Sequence, residues 1–520
     1  MLSRVWNRPP PKLTSTNYSP EHVALAKTIR RRRKIIAAVS ARIPLVRAVM
    51  VLVGVAWILA LPYEGLWKNT YIDEHAIQPA QVTMYFDWSN VHKADRYLDS
   101  LEALPDDAAS ADVSRSEYLQ SAFSAAGLST SNTSLSTYAH ITPPRSSGTE
   151  AILLSANWVS RDGTANLRGV AMLLAMGEFL RGQNHWAFDL VLVVGEGYLE
   201  GLEDFMSAYR GLFPGVIWTA LNIDYPGHSF SHLGIFYEGV NGRLPNQDLI
   251  NTVSHVARWA GGVPPRLHNI PDDPHPDTPL GRYKLAAKHL WEHFRHAALG
   301  RPSAAHGVLA KHRIDSATLY CSPATGPHGF HTLGRTLEST LRSLNNLLER
   351  LHASYFFYLL PRPGKFLPVG HYLPSAIILG ASITIAGFDC PDPLAGLMWL
   401  LPAFGLGWIG WALQTPWISF LALAIPRPTG NSRKSLSSLT HLLYGALIPT
   451  LAMVNYPQAL LLAAVTIAYL APYRWIRLAL LALHPGLIMG LKEEWETVGN
   501  LAWPGIFAIW VPLWCIAAML

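Results

Sequence analysis

Charged residues are scarce in this chain. Asp, Glu, Lys and Arg make up 15% of its 520 residues, against about a quarter in an average soluble protein. The deficit is uneven, because residues 71–351 read as ordinary globular sequence while the region after residue 369 is almost entirely apolar. A wholly soluble protein is therefore excluded. We expect a membrane part at the C-terminal end, with one further span near the start.

Cysteine is also rare, with three residues in the whole chain. Only Cys321 falls in the globular part, since Cys390 and Cys515 lie in the apolar region. A disulfide within the globular part is therefore excluded. We expect Cys321 to be a small buried apolar residue.

The formal net charge is +6, but its distribution does not indicate nucleic acid. The densest basic run, residues 30–34, directly precedes an apolar segment, where positive charge sets membrane orientation. No finger motif and no interleaving of aromatic and basic residues supports nucleic-acid binding. The expected partner is the membrane and not a nucleic acid.

The first apolar run, residues 46–61, is close to the length of a spanning helix once its flanks are included. It begins too far from Met1 for a typical cleaved signal peptide, and no clear cleavage site follows it. We interpret it as a signal anchor. Its basic side stays cytosolic, so the chain after Trp67 enters the lumen.

The C-terminal region predicts further spans, and charge decides how many. If residues 394–425 form two short helices and not one long helix, Arg427 and Arg433 fall on the cytosolic side and the acidic run at 493–496 falls in the lumen. This predicts about eight spans in total, with both termini cytosolic. The C-terminal spans are placed near 372–388, 394–412, 415–425, 439–454, 459–472, 475–491 and 501–519. Since their centres carry no charged residue, an ion or proton pathway is not favoured.

The globular part alternates short apolar runs with helix-like patterns, which predicts an α/β domain with a mainly parallel sheet covered by helices. Ligands of such sheets bind at the carboxyl ends of the strands. The predicted strands are 151–156, 190–194, 218–222, 233–237 and 317–321, and the predicted helices are 169–179 and 199–209.

Four segments of this domain resemble the di-zinc aminopeptidase family. They are Leu-Leu-Ser-Ala-Asn-Trp-Val-Ser at 153–160, Asn-x-x-Gly-Val at 166–170, Val-Val-Gly-Glu followed by Leu-x-Gly at 193–201, and Asn-Ile-Asp at 222–224. By the resemblance, His306 would be the family's final zinc ligand. The resemblance implies the family's α/β fold.

Much of that family's catalytic chemistry is missing. Asn157 stands in place of the first zinc histidine, Ala165 in place of the bridging aspartate and Gly195 in place of the general-base glutamate. Two zinc ions need the bridge and about three protein ligands each, so we expect neither zinc nor hydrolysis. The remaining vestigial candidates are Glu196, Asp224 and His306. They are either ligands of a single metal or polar residues satisfied within an inherited cleft.

A closer resemblance covers nearly the whole chain. It rests on Thr-Tyr-Ile-Asp-Glu-His-Ala at 70–76, Glu-Gly-Val-Asn-Gly-Arg-Leu-Pro-Asn at 238–246 and the long motif at 345–361 that runs from Asn-Asn-Leu-Leu-Glu to Tyr-Leu-Leu-Pro. With the anchor, the degenerate domain and the multiple spans, it is similar to the GAA-type subunits of glycosylphosphatidylinositol (GPI) transamidase. The resemblance implies a non-catalytic subunit in the endoplasmic reticulum membrane, with its large domain lumenal. Such a subunit helps recruit and position the GPI lipid and assemble the complex, beside a caspase-like catalytic subunit. The alternative is a membrane-anchored zinc aminopeptidase.

A lipid head group would meet the chain at the lumenal ends of the spans. Tyr71 and Asp73 follow the first span, and His352, Ala353 and Ser354 precede the second. The resemblance implies that these residues contact the GPI head group, with a divalent cation, Mg²⁺ or Ca²⁺, at its phosphate. Ala353 could coordinate such a cation only through its backbone carbonyl. The alternative is that Tyr71 is an interface anchor and His352 a cation at a helix end.

The predicted organisation has five parts. They are a cytosolic basic N-terminus at 1–43, the anchor at 44–67, the lumenal domain at 68–330, an amphipathic interfacial helix at 331–368 and the membrane domain at 369–520. Asn132 begins an Asn-Thr-Ser sequon in the lumenal domain, which predicts a glycosylation site.

Overall fold

The protein consists of two compact units. The first joins Leu61–His371 with Lys492–Leu501, and the second joins Met1–Ala60, Tyr372–Leu491 and Ala502–Leu520. The computed structural model describes residues 20–70, 84–104, 108–213, 215–271, 277–346, 357–471, 473, 475, 477, 479 and 481–520.

The first unit contains all the strands of the described chain. In chain order these are β1 Lys68–Asn69, β2 Ser129–Asn132, β3 Ser136–Ile141, β4 Glu150–Asn157, β5 Asp189–Gly195, β6 Val216–Asp224, β7 Phe230–Phe236, β8 Pro265–Leu267, β9 Asp315–Pro323, β10 Tyr358–Arg362 and β11 Lys365–Pro368. Eight of them form one sheet in the order β2-β3-β5-β4-β6-β9-β7-β8. The other three form a small sheet, β1-β11-β10.

The centre of the large sheet is parallel. Strand β4 lies parallel to both β5 and β6, and β6 lies parallel to β9. The pairs β2–β3, β3–β5 and β7–β9 on its flanks are antiparallel, and the edge strand β8 lies parallel to β7. The predicted parallel sheet is therefore confirmed in its core, where β5 is buried along its whole length, as expected of a strand covered on both faces.

Helices are found in both units. In chain order they are α1 Pro20–Ala60, α2 Trp88–Glu102, α3 Ala108–Ala125, α4 Leu167–Arg181, α5 Glu200–Leu212, α6 Gln247–Val256, α7 Pro279–Ala297, α8 His306–Lys311, α9 Phe330–Asn345, α10 Val369–Thr384, α11 Pro393–Ala412, α12 Gly430–Val454, α13 Tyr456–Tyr469, α14 Leu491–Val498, α15 Ala502–Gly505 and α16 Val511–Met519. Helices α4 and α5 confirm the two helices predicted between the first strands.

Alternate residues of β4 belong to two separate apolar cores. Ile152 and Leu154 pack in one cluster with α4, while Ala151 and Leu153 pack in the other with α5. Since successive side chains of a strand point to opposite faces, the two clusters lie on the two faces of the sheet. The sheet is thus covered by helices on both sides, as the sequence predicts.

The segment Lys492–Leu501 packs on the α/β domain, although the sequence places it within the membrane domain. The Arg301 guanidinium lies 2.7 Å from Oε1 of Glu494. The side-chain amide of Asn500 donates to the carbonyl oxygen of Leu299 at 2.9 Å. The acidic run therefore belongs to the same compact unit as this domain.

The second unit holds the apolar helices, and the predicted count of about eight spans is not confirmed. Five helices of the described chain are long and apolar enough to cross a membrane. They are Ala41–Ala60, Val369–Gly387, Pro393–Ala412, Gly430–Val454 and Ala502–Met519.

Two of the three other predicted spans do not form such helices. Residues 415–425 contain the 3₁₀ helix Pro416–Ala424, whose nine residues rise only about 18 Å at 2.0 Å per residue. The run at 459–472 forms α13, whose 14 residues reach about 21 Å. Both are shorter than the roughly 30 Å hydrocarbon core. The run at 475–491 lies partly outside the described residues.

Candidate functional site

The carboxyl ends of the parallel strands bring three of the predicted positions to one edge of the sheet. Asn157 ends β4 and lies opposite Gly195, which ends β5. Asp224 ends the neighbouring strand β6. These three positions therefore lie at the carboxyl edge of the parallel strands, while their role as the remains of a catalytic cleft stays a prediction.

Asn166 occupies the centre of this edge and is 1% exposed. Its side-chain amide donates to the carbonyl oxygens of Asn157 at 2.9 Å and Ile223 at 3.0 Å. Its side-chain oxygen accepts the backbone amide of Tyr225 at 2.7 Å. Asn166 thus joins the ends of β4 and β6 at the residue that directly precedes α4. These hydrogen bonds give it a structural role.

Asp224 is buried, and both of its carboxylate oxygens are hydrogen-bonded. The Ser160 hydroxyl donates to Oδ1 at 2.5 Å, and the backbone amide of Arg161 donates to Oδ2 at 2.9 Å. Burial raises the pKa of Asp224 to about 6, although both hydrogen bonds act in the opposite direction. The carboxylate is positioned to hold the loop after β4.

His306 begins α8 and is fully buried. Its Nε2 lies 3.0 Å from the carbonyl oxygen of Glu238, and its Nδ1 lies 3.1 Å from the Thr318 hydroxyl. Because a carbonyl only accepts, Nε2 carries the proton and Nδ1 faces the hydroxyl. Burial lowers the pKa of His306 to about 4. Both ring nitrogens are therefore engaged by the protein.

Glu196 lies at the rim of the cleft, where its carboxylate is 3.6 Å from the Arg115 guanidinium. The guanidinium also lies 4.8 Å from the centroid of the Trp158 ring. Within the described ranges, no three His, Cys, Asp or Glu side chains are grouped so that they could hold a metal ion. Glu196, Asp224 and His306 are thus not assembled into a metal centre.

A buried cluster of ionisable residues, not predicted from the sequence, lies just beyond β7. Oε1 of Glu238 is 2.6 Å from Nε2 of His268 and 3.0 Å from Nδ1 of His293. Glu238 is 0% exposed, and the two histidines hold its pKa well below the usual range against the effect of burial. His289 and His296 lie on the same helix as His293, α7, and are seven residues apart. That helical spacing, with a glutamate opening the 238–246 motif, is the signal that could have indicated the cluster.

The predicted GPI contacts Tyr71, Asp73, His352, Ala353 and Ser354 lie outside the described residues. What the structure describes is the chain on either side of them, which belongs to the small sheet and to α9. These flanks show where the two segments are anchored.

Each of the two segments connects the small sheet with α9. Before the first segment, the amide of Thr70 donates to the carbonyl of Gly364 beside β11 at 3.1 Å. After it, the amides of Tyr85 and Phe86 donate to the carboxylate of Glu338 on α9 at 2.9–3.0 Å. The second segment leaves the end of α9 and returns at Tyr358, the first residue of β10. The described residues that flank the two segments therefore belong to, or are hydrogen-bonded to, the same two elements.

The predicted glycosylation site is described. Asn132 ends β2 and is partly exposed, and its side-chain amide donates to the Ser116 hydroxyl. A glycan on this nitrogen would have to replace that hydrogen bond, so Asn132 remains a predicted site.

With this geometry in place, comparison with known proteins identifies the family. The sequence profile of the family described as "Gaa1-like, GPI transamidase component" matches residues 133–400, which is half of the chain. The chain belongs to this family. The matched residues of this Gaa1-like chain begin at the sequon and reach into α11.

Two curated fungal relatives match over a longer stretch. The GPI transamidase component GAA1 of Saccharomyces cerevisiae is 29% identical over 389 residues, covering 71% of this chain and 61% of the relative. The GPI transamidase component gaa1 of Schizosaccharomyces pombe is 28% identical over 368 residues, covering 65% and 63%. The match thus spans about three-fifths of the length of these relatives.

Solved structures that resemble the chain include two bacterial enzymes. The LapA aminopeptidase of Legionella pneumophila has a TM-score of 0.38 and 11% identity, and the match covers 54% of this chain and 77% of that one. The glutaminyl cyclase of Fimbriiglobus ruber has a TM-score of 0.36 and 14% identity, covering 51% and 98%. At these TM-scores no function follows from either likeness.

Proposed function

We propose that this protein is a non-catalytic subunit of the GPI transamidase complex that helps recruit and position the GPI lipid and assemble the complex. The observation that carries the proposal is the match of residues 133–400 to the family. It is supported by the two relatives, which are both named GPI transamidase components.

A non-catalytic role is supported by the groups at the cleft. A hydrolase of this kind needs a general base and an activated water. Gly195 offers no base, Asp224 is held by two protein donors, and His306 has both nitrogens engaged. The chemistry that joins a protein to GPI would then belong to another subunit, for which we propose the caspase-like one.

A role in lipid positioning is supported by the two anchored segments. In the proposed orientation, the endoplasmic reticulum membrane holds the apolar helices, the N-terminus is cytosolic and the α/β domain is lumenal. Tyr71 and Asp73 would then contact the GPI head group from one segment, and His352, Ala353 and Ser354 from the other. The carbonyl of Ala353 is the proposed ligand of a Mg²⁺ or Ca²⁺ ion at the GPI phosphate.

Deleting the gene and measuring GPI-anchored proteins at the cell surface tests the role in the complex. We expect surface levels to collapse and recovery on re-expression of the full chain. Normal surface levels, in cells without a second copy of the gene, would contradict the proposal.

Re-expression of a Tyr71→Ala/Ser354→Ala variant tests the lipid contacts separately. It should still co-purify with the other subunits while restoring little surface protein.

The competing function, a membrane-anchored zinc aminopeptidase, makes a distinct prediction. Purified protein would contain two zinc ions per chain and would hydrolyse aminoacyl substrates. We expect neither stoichiometric zinc by elemental analysis nor turnover that a chelator abolishes.

A further inference from the structure

A cavity of about 180 Å³ lies at the amino end of the parallel strands of the α/β domain. It is lined by residues from the end of β3, the starts of β4 and β5, and the end of α5. Asp189 begins β5 and Gly195 ends it. At a rise of about 3.3 Å per residue, the strand places the cavity about 20 Å from the edge that carries Asn157 and Asp224. The cavity is therefore separate from the predicted cleft.

The register of two strands brings a histidine and an aspartate together in this cavity. His140 of β3 is opposite Val191 of β5, and Asp189 lies two residues before Val191. Because alternate residues of a strand share a face, His140 and Asp189 project on the same side of the sheet. Nε2 of His140 lies 2.8 Å from Oδ2 of Asp189. One oxygen of the aspartate is thus held by the protein.

The other oxygen of this aspartate is not held. Asp189 is 5% exposed, and its Oδ1 has no hydrogen-bond partner among the described residues. Leaving a buried carboxylate oxygen without a donor is costly. Because Asp189 lines the cavity, a ligand with N–H or O–H groups could supply the donor.

Two aromatic rings also line the cavity. The Phe213 ring meets the imidazole of His140 edge to face, with 4.7 Å between their centroids. The ring of Tyr209 lies 5.6 Å from that of Phe213, and its hydroxyl donates to the carbonyl of Gly215 at 2.6 Å. Burial and then the negative charge of Asp189 raise the pKa of Tyr209 to about 12. Aromatic faces beside a carboxylate favour a cationic ligand.

The charge of the lining has the sign that attracts a cation. Asp189 and Glu150 contribute two carboxylates, and His140 contributes one imidazole. None of the described residues that line the cavity is Lys or Arg. Even a protonated His140 would therefore leave one carboxylate charge uncompensated within the lining.

The chemistry of the lining narrows the kind of cation. Across the described ranges, no three His, Cys, Asp or Glu side chains are grouped to hold a metal ion, so the expected ligand is organic. A primary ammonium carries three N–H donors, enough for both carboxylates. The volume of about 180 Å³ resembles that of cavities that hold a benzene molecule, which indicates a ligand of roughly six heavy atoms.

We propose that this cavity binds a primary ammonium group carried by a short alkyl chain. The ammonium would donate to Oδ1 of Asp189 and to the carboxylate of Glu150, and the alkyl chain would lie against Phe213 and Tyr209. The hydrogen bond from His140 would keep Asp189 in place. The site lies within the α/β domain and stands independently of the GPI role proposed above.

Saturation-transfer NMR of the full chain in a nonionic detergent tests the site, with protein-free micelles as the blank. The main probe is n-butylammonium. Its uncharged counterpart is n-butanol, and tetramethylammonium supplies the charge without any N–H donor. A free amine and a lysine side chain present the same group, so Nα-acetyl-lysine amide is the fourth probe.

The variants separate the pocket carboxylates from charge in general. Asp189→Asn keeps an acceptor for His140 and removes the charge. Glu150→Gln changes a partly exposed residue, so it tests the site even if Asp189→Asn impairs folding. The matched control is Glu117→Gln, which removes a carboxylate from an exposed position on α3.

We expect n-butylammonium to bind at least about tenfold more tightly than n-butanol or tetramethylammonium, because each of these lacks the charge-assisted hydrogen bond. Asp189→Asn should weaken n-butylammonium by about tenfold or more, and Glu150→Gln by about threefold. Glu117→Gln should leave its affinity unchanged. Tighter binding of the lysine derivative would assign the site to a polypeptide side chain, and tighter binding of n-butylammonium would assign it to a free amine.

The site would be overturned if n-butylammonium did not bind, or if it bound no more tightly than n-butanol. Unaltered affinity in Glu150→Gln and in an Asp189→Asn variant with the original melting temperature would overturn it as well. An equal loss in Glu117→Gln and Glu150→Gln would show that the attraction comes from overall charge and not from this cavity.

Discussion

Glu238 is the common hydrogen-bond acceptor of two buried histidines, His268 and His293. Its side chain has no solvent exposure and accepts hydrogen bonds from His268 and His293 through one oxygen. His268 also adopts a left-handed backbone conformation, with φ of 53°. This conformation is uncommon for residues other than Gly, although Asn, Asp and His adopt it more often than most. The hydrogen bond to Glu238 helps to hold His268 there.

Replacing Glu238 with Ala should destabilise the protein strongly. Two buried histidines would lose their common acceptor, and removing one partner of a buried pair costs about 3–5 kcal/mol. Denaturation of the full chain, followed by tryptophan fluorescence, measures the loss. Glu292→Ala is the matched control, since Glu292 pairs with an exposed Arg295 and should cost less than about 1 kcal/mol. Equal losses of unfolding free energy in the two variants would show that Glu238 contributes no more to stability than an exposed ion pair does.

His306 makes the stability of the α/β domain depend on pH. Burial lowers its pKa from 6.5 to about 4. Between these values the unfolded chain binds a proton that the folded chain does not, so stability must fall as the pH decreases from 6.5 to 4. The change from this one residue is about 3 kcal/mol. The lowered pKa values of His289, about 3, and His296, about 4, act in the same direction.

A His306→Gln variant isolates that contribution. Gln keeps an N–H that can donate to the carbonyl of Glu238 but has no ring to protonate. We expect the difference in unfolding free energy between pH 7 and pH 4 to shrink by about 3 kcal/mol. An unchanged pH dependence would show that His306 binds its second proton as readily in the folded protein as in the unfolded chain.

At the scale of elements, the turn Val240–Gly242 holds the segment Lys492–Leu501. Asn241 has a φ of 63°, a conformation that Asn tolerates. Its side-chain amide donates to the carbonyl of Gly499 at 3.3 Å, and its side-chain oxygen accepts the amide of Leu501 at 2.6 Å. One residue of the 238–246 motif therefore fixes the end of the docked segment.

Asn241→Gly should loosen this segment without disturbing the turn, because Gly adopts positive φ freely. The two lost hydrogen bonds contribute about 2 kcal/mol together, which corresponds to roughly thirtyfold faster local opening. Hydrogen–deuterium exchange of the peptide containing residues 492–501 measures it. Asn241→Asp keeps the acceptor and loses the donor, so its exchange should be intermediate. If both variants exchanged at the original rate, Asn241 would not be the residue that holds the segment.

The sequence predicted those elements that are buried and therefore consist of continuous apolar runs. Strands β4 and β5 and helix α4 were identified because both faces of the parallel core are covered. Strand β2, with the sequence Ser-Thr-Ser-Asn, is partly exposed and polar, so it gave no comparable signal. The direction of β3 and β7 depends on tertiary pairing, which local sequence does not specify.

The candidate site was predictable to a similar extent. Asn157 and Asp224 were expected at one edge because parallel strands end together. The partners of Glu238 are 30 and 55 residues away in the sequence. No local pattern joins residues at such separations. The shorter apolar segments were misjudged because hydropathy does not reveal where a helix becomes a 3₁₀ turn.

At the scale of the whole molecule, the docked segment restricts the membrane topology. Residues Leu61–His371 and residues Lys492–Leu501 belong to the same compact unit. In a membrane-embedded chain, the residues between them would therefore cross the membrane an even number of times. Three long apolar helices lie between them, Val369–Gly387, Pro393–Ala412 and Gly430–Val454. If all three of these helices cross the membrane, at least one of the shorter apolar segments must cross as well, because three is odd.

Cysteine labelling in intact microsomes tests this orientation. We would place one cysteine at the exposed Asn431, the second residue of α12, and another at Glu496, whose side chain is 63% exposed. The background carries Cys390→Ala, and the remaining Cys321 and Cys515 are buried. A membrane-impermeant maleimide should label the Asn431→Cys variant in intact vesicles. It should label the Glu496→Cys variant only after permeabilisation, because the acidic segment lies with the lumenal domain. Labelling of both variants in intact vesicles would place that domain in the cytosol and contradict the proposed orientation.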